Sequence, residues 1–177
     1  MRTYLVTLAF ITLMSVTLLA NTDICVEGNC INGEGSYLWE DGGTYKGFFK
    51  NKLRHGKGKM VYGEDGQVYE GEWKNDQPHG QGTMVFLDGE KYVGGWIEGK
   101  QHGKGTVTFP DGDIFRGQLS RGKWHGKGTF IYQDGTKFIG TWKNNKMDGE
   151  GTYIYSDGTK KSVLYRNGVL QETDTQD

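Results

Sequence analysis

Residues 69–91 read YEGEWKNDQPHGQGTMVFLDGEK, and the pattern of this stretch returns along the chain at a nearly fixed distance. Each copy has an aromatic residue two positions before a glycine, a Gly-x-Gly in the middle and an Asp-Gly near its end. The Asp-Gly pairs begin at Asp41, Asp65, Asp88, Asp111, Asp134 and Asp157, so the spacing is 24 residues once and 23 residues four times. Such self-similarity is the signature of a repeat protein.

Within each copy the residue type alternates with a period of two, which predicts β-strands. Tyr69, Gly71 and Trp73 fall on one face of a strand, and the glutamates between them fall on the other. Pairs such as Asn75-Asp76 divide a copy into two strands and tolerate the positive φ of a tight hairpin turn. The Asp-Gly pairs supply turns at the opposite edge. The sequence therefore predicts an all-β fold, an elongated, single-layer, twisted antiparallel meander of successive hairpins.

The repeat divides the chain into segments. Residues 21–44 form a partial first repeat, residues 161–170 a half repeat that caps the array, and residues 171–177 a polar, acidic tail. Five complete repeats lie between the two ends, at residues 45–68, 69–91, 92–114, 115–137 and 138–160. The half repeat has lost its aromatic residue and its glycine, as terminal units often do.

Glycine and aromatic residues are both abundant, with 30 glycines in 177 residues and 13% aromatics. An aromatic ring can cover the backbone that a glycine leaves bare in a strand. We expect tryptophans such as Trp96 to lie over glycines such as Gly105, so that one sheet buries a face without a second layer.

The repeated motif resembles the MORN repeat (membrane occupation and recognition nexus), over residues 33–165. The residues that carry the resemblance are Tyr69-x-Gly71-x-Trp73, His79-Gly80-x-Gly82 and Asp88-Gly89. The resemblance implies a sheet curled into an open half-pipe. It also implies a role as a scaffold, an assembly module or a membrane-proximal tether, and lipid-headgroup binding is attributed to the family. Some members carry a kinase or methyltransferase domain beside the repeats, for which this chain has no room.

The N-terminus has the pattern of a secretory leader. Residues 1–20 contain Arg2 and then the apolar stretch 4–20, which predicts a signal peptide and a periplasmic or secreted protein. The alternative is an uncleaved N-terminal membrane anchor, although the stretch is slightly shorter than the ~20 residues that cross a bilayer. Cys25 and Cys30 follow. In an exported chain such a pair predicts a disulfide bond, with two free thiols as the alternative.

Charge and residue types limit the function classes. The 21 Lys and Arg residues nearly balance the 22 Asp and Glu residues, so the chain has no overall basic field to hold nucleic acid. The Asp-Gly aspartates fall where a short carboxylate accepts hydrogen bonds from its own turn. No serine has the sequence context of a nucleophile elbow. We therefore expect a protein that is not an enzyme and uses no cofactor.

Four histidines stand at the same place in consecutive repeats, namely His55, His79, His102 and His125. Equivalent places are two strands apart, or about 10 Å at ~4.8 Å per strand. Two ligands of one zinc ion must each lie ~2.0 Å from it. The spacing therefore predicts no metal site and favours a structural role in the turn before Gly-x-Gly.

Two groups of residues are candidates for binding. The first is a trough of partly exposed rings that suits an extended peptide or a sugar chain, and its residues are Tyr69, Trp73, Tyr92, Trp96, Phe115, Phe138 and Trp142. The alternative is that packing uses these rings fully. The second is a basic run that would meet anionic lipid or polysaccharide, formed by Lys46, Lys50, Lys52, Arg54, Lys57 and Lys59. The alternative is a solvated face.

We therefore expect a non-enzymatic extracytoplasmic scaffold that mediates protein–protein interaction. A peripheral membrane protein that binds phospholipid through the basic run is the alternative. The two end strands of the meander have unpaired edges, so they would also allow copies of the chain to associate into a homo-oligomer.

Overall fold

The computed structural model describes residues 23–64 and 66–171, which form one antiparallel sheet of 14 strands. Every strand pairs with its neighbours along the chain. The strands are β1 (Ile24–Gly28), β2 (Gly33–Leu38), β3 (Thr44–Lys50), β4 (Leu53–Val61), β5 (Val68–Lys74), β6 (Gln77–Val85), β7 (Lys91–Ile97), β8 (Lys100–Thr108), β9 (Ile114–Ser120), β10 (Lys123–Ile131), β11 (Lys137–Lys143), β12 (Lys146–Ile154), β13 (Lys160–Arg166) and β14 (Val169–Gln171). The predicted all-β meander of hairpins is confirmed. The predicted leader lies outside the described residues, as does the predicted tail after Gln171.

Two-residue turns join the strands of each hairpin from β3 onward. Asn51 and Lys52 have φ angles of 52° and 65°, and two successive positive φ values define a type I′ turn. The equivalent pairs are Asn75-Asp76, Glu98-Gly99, Arg121-Gly122, Asn144-Asn145 and Asn167-Gly168. Because this turn has the same twist as the flanking strands, successive hairpins continue one regular sheet.

The first hairpin departs from this rule. We expected Gly28-Asn29 to be its two-residue turn, but residues 29–32 form a longer loop between β1 and β2. The side-chain Oδ1 of Asn29 accepts hydrogen bonds from the N–H groups of Ile31 and Asn32, at 3.0 and 2.9 Å. This local bonding stabilises the wider loop.

Hydrogen bonds also connect the turns of neighbouring repeats. The N–H of Asp76 donates to the carbonyl of Arg54 at 3.0 Å, and the N–H of Gly122 donates to the carbonyl of Gln101 at 2.8 Å. The second residue of each turn thus bonds to the repeat before it. At the opposite edge, Asp88 Oδ1 accepts a hydrogen bond from the N–H of Glu90 at 3.0 Å. The aspartates 41, 111, 134 and 157 bond in the same way, which confirms their local role.

A bulge in the second strand of the five hairpins from β3–β4 to β11–β12 explains the first glycine of Gly-x-Gly. In the β3–β4 pair, Gly47 lies opposite Gly58, whereas Phe49 lies opposite Arg54, so β4 contains two extra residues. Gly56 lies in this extra stretch with a φ of 65°, a conformation that strains residues with a Cβ. Because a bulge bends its strand and increases the twist, its repetition bends the whole sheet in one direction.

Five aromatic rings form the floor of the core, namely Tyr45, Tyr69, Tyr92, Phe115 and Phe138, which are 0–1% exposed. Each ring lies over two glycines on paired strands. A Cβ on Gly94 would come within 2.5 Å of the Tyr92 hydroxyl and 2.6 Å of Gly105 Cα, and a Cβ on Gly105 would overlap the Tyr92 ring. In a β-sandwich a second sheet covers the apolar face. Here aromatic rings that lie on glycine backbone cover it instead.

The tryptophans do not cover the glycines that we expected them to cover. Trp96 does not cover Gly105 of its own repeat; it leans on the preceding repeat, where its Nε1 donates to the carbonyl of Gly82 at 3.3 Å. Its ring packs edge-on against both Tyr69 and Tyr92, with centroids 5.2 Å apart in each pair. The tyrosine or phenylalanine therefore covers the glycines, and the tryptophan joins one repeat to the next.

We predict that Trp96→Ala lowers the free energy of unfolding by about 3–5 kcal/mol, because it removes a buried ring that links two repeats. Gly94→Val should cost about 3 kcal/mol, since its side chain has no space beside the Tyr92 hydroxyl. Urea unfolding followed by circular dichroism measures both. Val93→Ala, on the exposed face of the same strand, is the control. Unfolding midpoints equal to that of the parent chain would contradict this account of the core.

Candidate protein-interaction surface

One face of the sheet carries aromatic side chains at two levels. We name it the ring face, and it is the face on which Tyr45, Tyr69, Tyr92, Phe115 and Phe138 are buried; the other is the outer face. Above these rings, each repeat places a further aromatic residue just before its Asp-Gly turn. These edge rings are Trp39, Tyr62, Phe86, Phe109, Tyr132 and Tyr155. The first five are half-buried against the core, and Tyr155 is 39% exposed.

The seven rings of the predicted trough are all on the ring face but none is on its surface. Tyr69, Trp73, Tyr92, Trp96, Phe115, Phe138 and Trp142 are 0–7% exposed. The expectation that they offer partly exposed rings is therefore wrong, and the alternative, full use in packing, is right. The reason is that the tyrosine and phenylalanine rings lie on glycine backbone and the tryptophan rings pack edge-on against them. The edge rings, which the sequence analysis missed, recur before every Asp-Gly and were visible in that pattern.

A groove of about 560 Å³ opens on the ring face at the N-terminal end of the array. Asp41 and Tyr62 line it from the Asp-Gly edge, while Lys52 and Asp76 line it from the turn edge. Because one groove contacts both edges of the sheet, the ring face is concave here. Its remaining lining residues are Cys25, Cys30, Ile31, Tyr37, Trp39, Phe49, Arg54 and Met60.

Arg54 is held rigidly in this groove. Its Nε donates to Asp76 Oδ1 and its Nη2 to the Asp76 carbonyl, both at 3.0 Å. Its guanidinium lies over the Trp73 ring, 4.4 Å from the centroid, and 5.6 Å from the centroid of Trp39. The ion pair and the two rings fix a planar donor group in the groove before any ligand arrives.

The predicted disulfide bond closes the N-terminal end of the groove. Cys25 and Cys30 are joined with their Cα atoms 6.0 Å apart. Cys30 is 8% exposed, whereas Cys25 is exposed on the edge strand β1. The bond fastens the start of β1 to the loop that follows the strand, so the groove wall here is covalently fixed.

Aromatic side chains fill the ring face further along the array. Trp124 stacks on Phe115 with the ring centroids 4.0 Å apart and the planes 3° apart. Phe130 packs beside Trp124, with centroids 5.8 Å apart. Trp124 and Phe130 stand where the first complete repeat has Arg54 and Met60. The open groove of the N-terminal repeats is thus replaced by stacked rings in the fourth.

The six cations of the predicted basic patch are not brought together. Lys46, Lys57 and Lys59 lie on the outer face, where Lys59 is opposite both Lys46 and Glu70. The Nζ of Lys59 is 3.7 Å from a Glu70 carboxylate oxygen. Strand alternation places Arg54 on the ring face, Lys52 is in the turn, and Lys50 ends β3. The expectation of one patch is wrong because alternating residues of a strand point to opposite faces.

One of the four motif histidines closes a turn. His102 Nδ1 accepts a hydrogen bond from the N–H of Arg121 at 3.5 Å. Asn32 and Asp148, which replace the histidine in other repeats, accept equivalent bonds at 2.9 Å from Asn51 and Asn167. In these three repeats the residue at this place fastens the turn of the following repeat, whereas the buried Nδ1 of His55 has no hydrogen-bond partner. Within residues 23–64 and 66–171, no three His, Cys, Asp or Glu side chains are grouped to hold a metal ion. That same part of the chain has no helix long and apolar enough to cross a membrane.

Three of the five floor rings are tyrosines with shifted titration. The hydroxyl of Tyr92 donates to the carbonyl of Gly95 at 2.8 Å, and burial raises the pKa of Tyr92 to about 12. Burial also raises the pKa of Tyr45 and of Tyr69. The hydroxyls are buried and bonded to backbone, so removing their protons would leave an anion in the core.

We predict that the protein loses stability between about pH 10 and pH 12. In this window the tyrosines of the unfolded chain release protons, while Tyr92 in the folded chain keeps its proton. The unfolded state then binds fewer protons, so the free energy of unfolding falls as pH rises. Urea unfolding at pH 8 and pH 11.5 measures the loss.

Tyr92→Phe, with Phe115 and Phe138 as precedents in the same chain, should reduce this loss by about 1 kcal/mol or more. Exposed Tyr155→Phe is the control. An equal loss of stability in Tyr92→Phe and in the parent chain would show that the buried hydroxyl does not cause it.

Comparison with known proteins agrees with this architecture. A sequence profile of the MORN repeat matches residues 31–44, 45–66, 69–91, 92–114, 115–137 and 138–160. The chain belongs to the MORN repeat family. A search of curated proteins found no match to this chain.

Three solved structures have a weak similarity to this chain. The SAS-4 (dCPAP) TCP domain of Drosophila melanogaster, in complex with a proline-rich motif of Ana2, has 15% identity and a TM-score of 0.43, covering 91% of this chain and 97% of that chain. A CPAP G-box domain has 19% identity and a TM-score of 0.43, covering 74% and 80%. The TCP10 domain of Danio rerio CPAP, in complex with a STIL peptide, has 14% identity and a TM-score of 0.22, covering 81% and 84%. At this level of similarity the three structures say nothing about function.

Proposed function

We propose that this chain is a non-enzymatic scaffold that works outside the cytoplasm and binds a protein partner on its ring face. The MORN repeats make it a repeat scaffold for protein or membrane interaction. The observation that carries the choice of a protein partner is the N-terminal groove. Half-buried rings there surround a guanidinium that is already fixed by Asp76 and Trp73.

The chemistry of the groove suits a peptide segment. Aromatic residues and arginine are the residue types that contribute most to protein–protein binding. Trp39 and Tyr62 offer half-buried rings, Arg54 offers donors, and Asp41 offers a carboxylate oxygen, so both apolar and polar groups of a peptide find partners. A preformed groove also loses little conformational entropy when a ligand binds.

Two observations support the other parts of the proposal. The Cys25–Cys30 disulfide bond, together with the leader-like residues 1–20, is typical of a protein in an oxidising compartment. The aspartates of the Asp-Gly turns are engaged by backbone N–H groups, which is a structural use of side chains that an enzyme would use as acids or bases.

The test is affinity capture from the envelope fraction with residues 21–177 as bait. A partner of the groove should be recovered at least about fivefold less with Trp39→Ala or Arg54→Ala, because hot-spot truncations cost 1–2 kcal/mol or more. Lys127→Ala, on the outer face, is the matched control and should recover the partner fully. Equal recovery with all baits would place the interaction away from the groove, and a protein list indistinguishable from an empty matrix would contradict the scaffold proposal.

Binding to an anionic membrane is the second candidate, and it is favoured by the outer-face lysines 46, 57 and 59. Lys46 and Lys59 lie directly opposite each other on paired strands. The negative charges of Glu70 and Glu72 on the next strand offset the charge of these lysines, so we expect weak binding or none. Co-sedimentation with vesicles that contain 30% anionic lipid, at 20 and 300 mM salt, decides the matter. Absence of binding at 20 mM salt rules out the membrane function, because screening is weakest there.

A further inference from the structure

The two long edges of the sheet carry opposite charges. At the edge with the Asp-Gly turns, the loops between hairpins contain acidic residues and no lysine or arginine. We name it the acidic edge, and its described acids are Glu40, Asp41, Glu64, Asp88, Glu90, Asp111, Asp113, Asp134 and Asp157. Three lysines, Lys91, Lys137 and Lys160, begin the strands that follow these loops.

The opposite edge, formed by the two-residue turns, is basic. The turns and the residues beside them contain Lys50, Lys52, Lys74, Lys100, Arg121, Lys123, Lys143, Lys146 and Arg166, and all are exposed. Asp76, Glu98 and Asp148 are acids at this basic edge; Asp76 is engaged by Arg54, and Asp148 accepts a hydrogen bond from the N–H of Asn167. In the described part of the chain, the ion pairs are Arg54–Asp76 and Lys59–Glu70, so the cations of the basic edge have no carboxylate within 4.0 Å.

We propose that the ring face also binds a second copy of this chain, with the two ring faces together and the two arrays parallel. This inference rests on the proposed function, since it names one partner of the same face. The opposite charges of the two edges support this inference. A polyanion would neutralise the basic edge alone, whereas a second copy brings an edge of each sign. The net charge of -1 offers almost no repulsion between copies.

Symmetry decides the orientation. A two-fold axis that runs along the array, above the ring face, places the basic edge of each copy on the acidic edge of the other, at both seams. A two-fold axis across the array would instead place acid on acid and base on base. Only the first arrangement is electrostatically complementary, and such complementarity steers association and selects orientation.

Apolar contact is supplied by the rings beside the seams. Because the ring face is concave at the N-terminal groove, the two copies meet there along their rims, and fourteen strands at ~4.8 Å give each seam a length of about 65 Å. Each seam contains the acidic edge of one copy, so the edge rings of both copies would be covered in the pair. The rings then provide affinity, and the charges at the rim set the pairing.

A charge-swap experiment tests the arrangement in the chain without its first 20 residues. One variant carries Lys50→Glu, Lys74→Glu and Lys100→Glu on the basic edge, and the other carries Glu40→Lys, Glu64→Lys and Glu90→Lys on the acidic edge. Both sets lie between β2 and β8, so they face each other in the parallel pair. These glutamates leave the turn-closing aspartates in place. Analytical ultracentrifugation should show a dimer of the parent chain at 50 mM salt. Each variant alone should dissociate at least tenfold more readily, and an equimolar mixture should dimerise again, because both seams are then complementary.

Controls separate charge at the edges from charge in general and from misfolding. Lys57→Glu, Lys104→Glu and Lys127→Glu reverse three exposed cations of the outer face and should leave the dimer unchanged. Circular dichroism should be the same for all variants. A fluorescent donor or acceptor at Val169→Cys should show efficient energy transfer in the parallel dimer, since the two labels are then at the same end. Low transfer would overturn the parallel orientation.

Other outcomes are also decisive. A parent chain that is monomeric at 100 µM and 50 mM salt would overturn the proposal, and so would a dimer that survives both sets of edge reversals, since it would use the end strands instead. Failure here is distinguishable from failure of the proposed function. Monomeric protein that still captures a groove-dependent partner would refute only the pairing of two copies.

Discussion

The structure depends on one contact, an aromatic ring that lies on two glycines of paired strands. A sheet with one exposed apolar face is unstable in water, and most proteins cover that face with a second layer. Here the cover comes from the strand itself, since Tyr92 lies over Gly94 and Gly105. Neither glycine tolerates a Cβ, so ring and glycines are required together. The abundance of glycine in this chain is a packing requirement rather than a sign of flexibility.

The same contact accounts for the repeat and for its cooperativity. A single hairpin with one ring would bury too little to be stable. Trp96 reaches back to Gly82 and packs on both Tyr69 and Tyr92, so each repeat completes the core of the one before it. The hydrogen bonds from turn to turn add a second connection at the edge. Stability is thus a property of neighbouring pairs, as in other repeat arrays.

The sequence predicts the strands, the turns and the family, because these depend on residues that are near in the chain. It does not predict which ring covers which glycine. Trp73 and Tyr69 are on the same face of one strand. Only the direction in which each side chain extends along the sheet decides which of the two covers the glycines. This error has a consequence for the candidate site, since the rings taken for a binding surface are the ones that the core uses. The edge rings and the Arg54–Asp76 pair depend on contacts between repeats, which composition and spacing do not show.

This packing also determines which residues stabilise the fold and which can bind a partner. The floor rings are buried in the core and cannot contact a partner. Only residues outside the ring–glycine contact are therefore available for binding. These are the edge rings, the residues around Arg54 and the charged loops. Along a meander the loops alternate between the two edges. A 23-residue repeat with an acid in one loop and a cation in or beside the other therefore builds two oppositely charged lines. The net charge is thus close to zero although the charges are separated by sign on the surface, and the regular repeat produces this separation.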